Sequence, residues 1–203
     1  MKIKKLCVFC GSGTGRRAEY AAIAEAVGRI LAKGKIELVY GGGSVGLMGT
    51  VARAALRHGG KVTGVIPQSL AGRDVALNEL ENLKIVGSMH ERKAVMIRLA
   101  DAFVALPGGI GTLEEFFEVL TWTQLGIHSK PCALMNVNGY YDRLLGFLDQ
   151  AVKERFIEKE HRNMVIVERS PEKLLKRLAA FKPPKKDKAA WALKESKSLE
   201  RWD

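Results

Sequence analysis

Residues 101–120, DAFVALPGGIGTLEEFFEVL, pass from an apolar run through a glycine-rich turn into a stretch with helical periodicity. A short, continuous apolar run of this kind fits a strand buried on both faces, as in a parallel sheet. Parallel strands need long crossover connections, usually helices. The order recurs along the chain. Apolar runs occupy 3–10, 36–40, 61–66, 102–106, 131–137 and 164–167, with a weaker one at 83–87. Helical periodicity fills 16–33, 46–58, 90–100, 112–125, 141–153 and 171–180. The expected fold is therefore α/β, a Rossmann-like doubly wound parallel sheet with helices on both faces. Residues 68–82 lack clear patterning and are expected to form an irregular excursion near the site.

The 203 residues are enough for one domain with a sizeable core. Residues 1–181 are expected to form a single nucleotide-binding catalytic domain. Residues 182–203 hold seven Lys/Arg and four Asp/Glu and open with Pro183 and Pro184, so a basic, flexible tail is expected there. No apolar run approaches the roughly 20 residues that span a bilayer. The charged start, Met1, Lys2, Ile3, Lys4 and Lys5, leads into only a short strand, so neither a signal peptide nor a membrane partner is expected. A cytoplasmic setting follows. The three cysteines, Cys7, Cys10 and Cys132, suit a reducing compartment. Cys7 and Cys10 are three apart, which on a strand directs them to opposite faces, so they are expected to be free thiols rather than a metal or redox pair. The net charge of +11 suits phosphorylated metabolites. Without a basic stripe interleaved with aromatics, no nucleic-acid partner is expected.

Three glycine loops each stand between a strand and a helix: residues 10–15, 40–49 and 107–112. In an open parallel sheet such loops gather at the carboxyl ends of the strands, where ligands bind. Helix-start amides lack intrahelical partners and can hold an anion, and glycine lets the backbone approach it. Gly41, Gly43 and Gly46 match the dinucleotide spacing G-x-G-x-x-G, but the next strand carries no acid for a ribose. No phosphate-loop lysine is present either. A mononucleotide phosphate is the simpler ligand.

Two further groups carry chemistry. Glu114 and Glu115 stand one turn past the third glycine loop. Adjacent helical residues point about 100° apart, so only one of them can face a small ligand, and pattern alone leaves open which. Either can instead serve the helix dipole. Met89, His90, Glu91, Arg92 and Lys93 open the helix before the third loop's strand, at the same sheet edge. Arg92 has a forked guanidinium suited to carboxylate or phosphate. His90, Glu91 and Lys93 fit a solvated face.

The run Pro107, Gly108, Gly109, Ile110, Gly111, Thr112, Leu113, Glu114 and Glu115 is the motif P-G-G-x-G-T-x-x-E. With residues 89–93, 38–49, 64–67 and 121–128 it resembles the LOG (LONELY GUY) family over about residues 5–181. These are cytokinin riboside 5'-monophosphate phosphoribohydrolases, often mislabelled as lysine decarboxylases. The resemblance implies hydrolysis of the N-glycosidic bond of an adenosine 5'-monophosphate, N6-modified or plain, to free base and ribose 5-phosphate. It implies a homodimer. No cofactor is expected, and the site residues require no metal. It places the catalytic pair on Arg92 and Glu115, with Arg92 expected to hold the Glu115 carboxyl low and ionised. Substrate contacts are expected from Ser12, Gly42, Gly43, Met89, Gly108, Gly109, Ile110, Gly111 and Thr112. Gly13, and Gly87 with Ser88 before Met89, depart from the commoner family residues. Alternatives are an AMP nucleosidase of nucleotide salvage and a non-catalytic nucleotide carrier. A lysine decarboxylase needs a pyridoxal phosphate lysine, for which Lys93 and Lys130 are the candidates.

Overall fold

Among the described residues, seven short strands, all parallel, form one sheet in the order β4-β3-β2-β1-β5-β6-β7. They are β1 (Lys5–Phe9), β2 (Glu37–Tyr40), β3 (Val62–Pro67), β4 (Asn82–Val86), β5 (Ala102–Ala105), β6 (Cys132–Met135) and β7 (Val165–Glu168). The computed structural model describes residues 2–71, 76–77 and 79–183. The tail expected over 182–203 lies almost entirely outside the described residues.

Each strand faces two cores. Along β1, Leu6 and Val8 pack to one side and Cys7 and Phe9 to the other, the two-residue alternation of a pleated strand. The first side is covered by α1 (Ala18–Lys33), α2 (Gly46–Arg57) and α8 (Pro171–Ala180), through residues such as Leu31, Val51 and Leu178. The second is covered by α4 (Met89–Leu99), α5 (Ile110–Gln124) and α6 (Asp142–Lys153), through Met96, Phe116 and Leu148. The three thiols are free and buried, with Cys7 in the second core and Cys10 in the first. β5 is buried at all four positions because it has a neighbour on each edge and helices on each face. β4 is one edge of the sheet; its Asn82, Lys84 and Ile85 are exposed, which explains the weak apolar signal there.

Two helices of four residues escape any periodicity argument: α3 (Gln68–Ala71) and α7 (Lys159–Arg162). The first lies inside the segment expected to be irregular. Among the described residues, no helix is long and apolar enough to cross a membrane.

The strand order reverses between β1 and β5. Connections leave this point in opposite directions, which opens a crevice at the carboxyl ends. The two chain segments that leave it are tied together: Leu106 N–H donates to Phe9 O at 2.9 Å, and Gly11 N–H donates to Pro107 O at 3.1 Å.

Candidate functional site

At the crevice, the loop after β1 and the turn after β5 line a pocket of about 350 Å³, together with Leu47, Tyr20 and Tyr140. Ser12, Gly108 and Gly109 are among its walls. The Tyr140 hydroxyl donates to Gly108 O at 2.6 Å, and its ring meets Tyr20 edge-on at 5.6 Å. Leu47 N–H, in the first turn of α2, donates to Gly11 O at 3.0 Å. Backbone thus holds backbone at Gly11, and the Tyr140 hydroxyl adds a side-chain tie at Gly108.

The turn at Gly108 is possible only for glycine. A Cβ there would lie 2.1 Å from Thr112 Oγ1 and 2.8 Å from Gly11 N. Thr112 is buried beneath it. No side chain caps α5, whose N-cap is Gly109. The first intrahelical donor recorded there is Leu113 N–H, to Gly109 O at 3.1 Å. The amides of Ile110, Gly111 and Thr112 precede it and have no intrahelical acceptor. Ile110 is 88% exposed, so this helix start opens to solvent. It is the anion-binding geometry expected of the motif.

α4 starts with a reciprocal cap. Ser88 Oγ accepts from Glu91 N–H at 3.1 Å, and Glu91 Oε2 accepts from Gly87 N–H at 2.7 Å. This fixes the first turn, from which Arg92 reaches back over the sheet. Arg92 Nε donates to Val65 O at 3.1 Å, and Nη1 lies 3.0 Å from Glu115 Oε1 on α5. Each side chain of the pair is 11% exposed. Met89, 43% exposed, places its Sδ 3.9 Å from Arg92 Nη1. The guanidinium fits because residue 41 is glycine: a Cβ at Gly41 would be 2.0 Å from Nη2.

Of the residues expected in the site, Arg92, Glu115 and Met89 come together, as do Ser12, Gly108, Gly109 and Thr112. Gly42 and Gly43 are buried in the loop after β2, next to Gly41. Their contacts run to Ile66, Met48 and the segment 76–77, including Leu77 N–H to Gly42 O at 3.0 Å. Gly41 was named from sequence only for its dinucleotide spacing, not as the seat of Arg92, and the Val65 carbonyl and the Tyr20–Tyr140 pair were not singled out. The triple glycine held a signal for the first; the others depend on packing that no local pattern reveals.

The electrostatics correct one expectation. Burial pushes the Glu115 carboxyl above its ordinary value of 4.5, and Arg92 only opposes that rise. Removal from water outweighs the nearby cations, Arg92 first and Lys93 after it. Glu114 turns away and pairs with Lys93. That settles which of the two acids accompanies Arg92. Burial also raises the Cys7 and Cys10 thiols, so both stay protonated and poorly nucleophilic.

A Schiff-base lysine for pyridoxal phosphate does not fit. Lys93 is ion-paired to Glu114 and Glu118, and these bonds raise its ammonium, favouring the charged, non-nucleophilic form. Lys130 Nζ donates to Ile97 O at 2.7 Å, at the far end of α4 from Arg92.

Residues 48–178 match the family model described as "Possible lysine decarboxylase". The chain is similar to a cytokinin riboside 5'-monophosphate phosphoribohydrolase of Arabidopsis thaliana, 49% identical over 183 residues, which span 90% of this chain and 84% of that protein. It is 53% identical over 165 residues to the enzyme of that name from Rhodococcoides fascians, spanning 81% and 83% of the two chains. A probable enzyme of the same name from Oryza sativa subsp. japonica is 50% identical over 182 residues, spanning 90% of this chain and 80% of that one. Among solved structures, a molybdenum cofactor binding protein from Rippkaea orientalis superposes with a TM-score of 0.66 at 21% identity, covering 87% of this chain and 95% of that one. The molybdenum cofactor carrier protein of Chlamydomonas reinhardtii gives 0.64 at 20%, covering 89% and 100%. At such identities the likeness to these two is one of fold.

Proposed function

The chain belongs to the LOG family, and on that premise we propose that it hydrolyses the N-glycosidic bond of adenosine 5'-monophosphates, N6-modified ones included. The products are the free base and ribose 5-phosphate. The observation that carries this reading is the buried Arg92–Glu115 pair beside an uncapped, solvent-open helix start.

Cleaving this bond develops positive charge on the ribose, as in other glycoside cleavages. Glu115 lies beneath the sugar and stabilises that charge as a carboxylate. Its upward-shifted proton affinity also makes it a better acceptor from the attacking water than an exposed glutamate. Arg92 keeps the carboxylate oriented and limits the cost of burying it. The amides at 110–112 and Thr112 hold the 5'-phosphate, so binding far from the reacting bond fixes the anomeric carbon over Glu115. Met89, exposed beside Arg92, receives the purine. Ser12 completes the phosphate side, and Gly42 and Gly43 shape the buried loop behind it. The reading extends to a cytoplasmic homodimer whose catalytic domain is residues 1–181.

The test is a substrate panel on purified protein. AMP, N6-prenylated AMP and the matching nucleosides without phosphate are incubated and separated by chromatography. Base and ribose 5-phosphate are expected from the nucleotides, and far less base from the nucleosides. Tight AMP binding with no base released over hours would instead mark a carrier.

A further inference from the structure

Lys93 was expected on a solvated face, yet its side chain is only 12% exposed. It ion-pairs with Glu114 and, at 3.2 Å, with Glu118 Oε1. Those two acids stand one turn apart on α5 and bracket Glu115. Two neighbouring α4 cations thus meet three α5 carboxylates, and the pattern crosses between helices rather than running along one.

We propose that Lys93 is a positioning residue for the glycosidic-bond reaction: by clamping Glu114 and Glu118 it holds the first turns of α5 against α4 and keeps Glu115 seated on Arg92. The proposal rests on the functional reading above and adds a residue to it. Removing the ammonium leaves two anions beside Glu115. One of them, Glu118, already has a buried oxygen, Oε2, without a hydrogen-bond partner among the described residues. Their repulsion falls on Glu115 and on the α4–α5 contact.

The groups that act on Glu115 are Arg92 and Lys93 from α4, Glu114 and Glu118 from its own helix, and the thiols of Cys7 on β1 and Cys10 just after it. Both thiols stay neutral, so the balance lies between two cations and two further anions. Lys93 favours the ionised Glu115; Glu114 and Glu118 disfavour it.

The experiment compares wild type with Lys93→Met, Lys93→Arg and the charge-balanced Lys93→Met/Glu118→Gln. Steady-state kinetics on AMP across pH is joined to a carbon-13 titration of the Glu115 carboxyl, which needs no turnover. For Lys93→Met, kcat is expected to fall roughly 10- to 100-fold with KM changed about threefold or less. The acidic limb of kcat/KM and the Glu115 titration both move to higher pH. Lys93→Arg restores most of the rate, and the double variant moves the titration part of the way back. A Lys93→Met protein with a lower Tm but an unmoved limb and titration would overturn the proposal and leave Lys93 a structural cross-link. Should Lys93→Met not fold, Glu118→Gln carries the test with the opposite sign: its Glu115 titration must move to lower pH, and an unmoved one overturns the proposal. A wild type that releases no base defeats the functional reading instead, while the titration still decides the role of Lys93.

Discussion

Arg92 Nη1 and Glu115 Oε1 meet at 3.0 Å across two helices that are joined in sequence only through the buried strand β5. The contact is buried on both sides, and the backbone at Gly41 and Val65 closes around the guanidinium. A pair held this firmly has consequences for rate, pH dependence and stability.

Gly41→Ala is expected to reduce activity roughly 100-fold, the scale of a misplaced catalytic group. The new Cβ would overlap Arg92 Nη2, so the guanidinium cannot keep both Nε on Val65 O and Nη1 on Glu115. Kinetics together with circular dichroism separate the effect from unfolding; full activity in Gly41→Ala would remove Arg92 from its assigned place.

The acidic limb of kcat/KM is expected above pH 4.5, because burial raises the Glu115 carboxyl and the reaction uses its anion. Activity falls as pH drops through that limb. A limb below 4.5 would mean that Arg92 dominates after all.

The same shift has a sign for stability. A carboxyl raised in the folded state contributes stability that is full below the unfolded value, near 4.5, and is lost as pH rises through the folded value. Glutamine does not titrate. The Tm of wild type minus that of Glu115→Gln should therefore decrease as pH is raised from about 4 toward 7. An increase over that range contradicts the assigned direction.

Ser88→Ala removes the cap that starts α4. A loss of about 1 kcal/mol is expected, which lowers Tm by roughly 2–4 °C in a chain of this size. Scanning calorimetry reads it. No change would show that the bond from Glu91 N–H to Ser88 Oγ does not hold the helix start.

Addition of pyridoxal phosphate is expected to produce no lysine-imine absorbance and no carbon dioxide from lysine. Lys93 is held as a cation between Glu114 and Glu118, and Lys130 is bonded to Ile97 O. A visible imine band abolished by Lys93→Arg would reopen the decarboxylase reading.

Much of this site could be read from the chain because its parts are local. The apolar run before Pro107 and the glycines after it specify a strand, a turn and an uncapped helix within a dozen residues. The 100° step between Glu114 and Glu115 required that one of them turn away, and the structure turns Glu114 to Lys93. What escaped is set by distance across the fold or by depth. Lys93 looks like a surface charge until α5 is laid beside it. The tyrosines at 20 and 140 are far apart in sequence and meet only at the crevice. Counting charges gave the wrong direction for Glu115, since burial is a property of the whole packed edge. The helices α3 and α7, each barely one turn, carry too few residues for a period to show.

The most direct measurement is AMP turnover and AMP affinity of Glu115→Gln, with base and ribose 5-phosphate followed by chromatography. With Glu115 as the carboxylate under the sugar, base release falls by about 10²- to 10⁴-fold while nucleotide affinity stays within several-fold, because the phosphate grip is untouched. Near-normal base release from the folded variant would contradict the central claim.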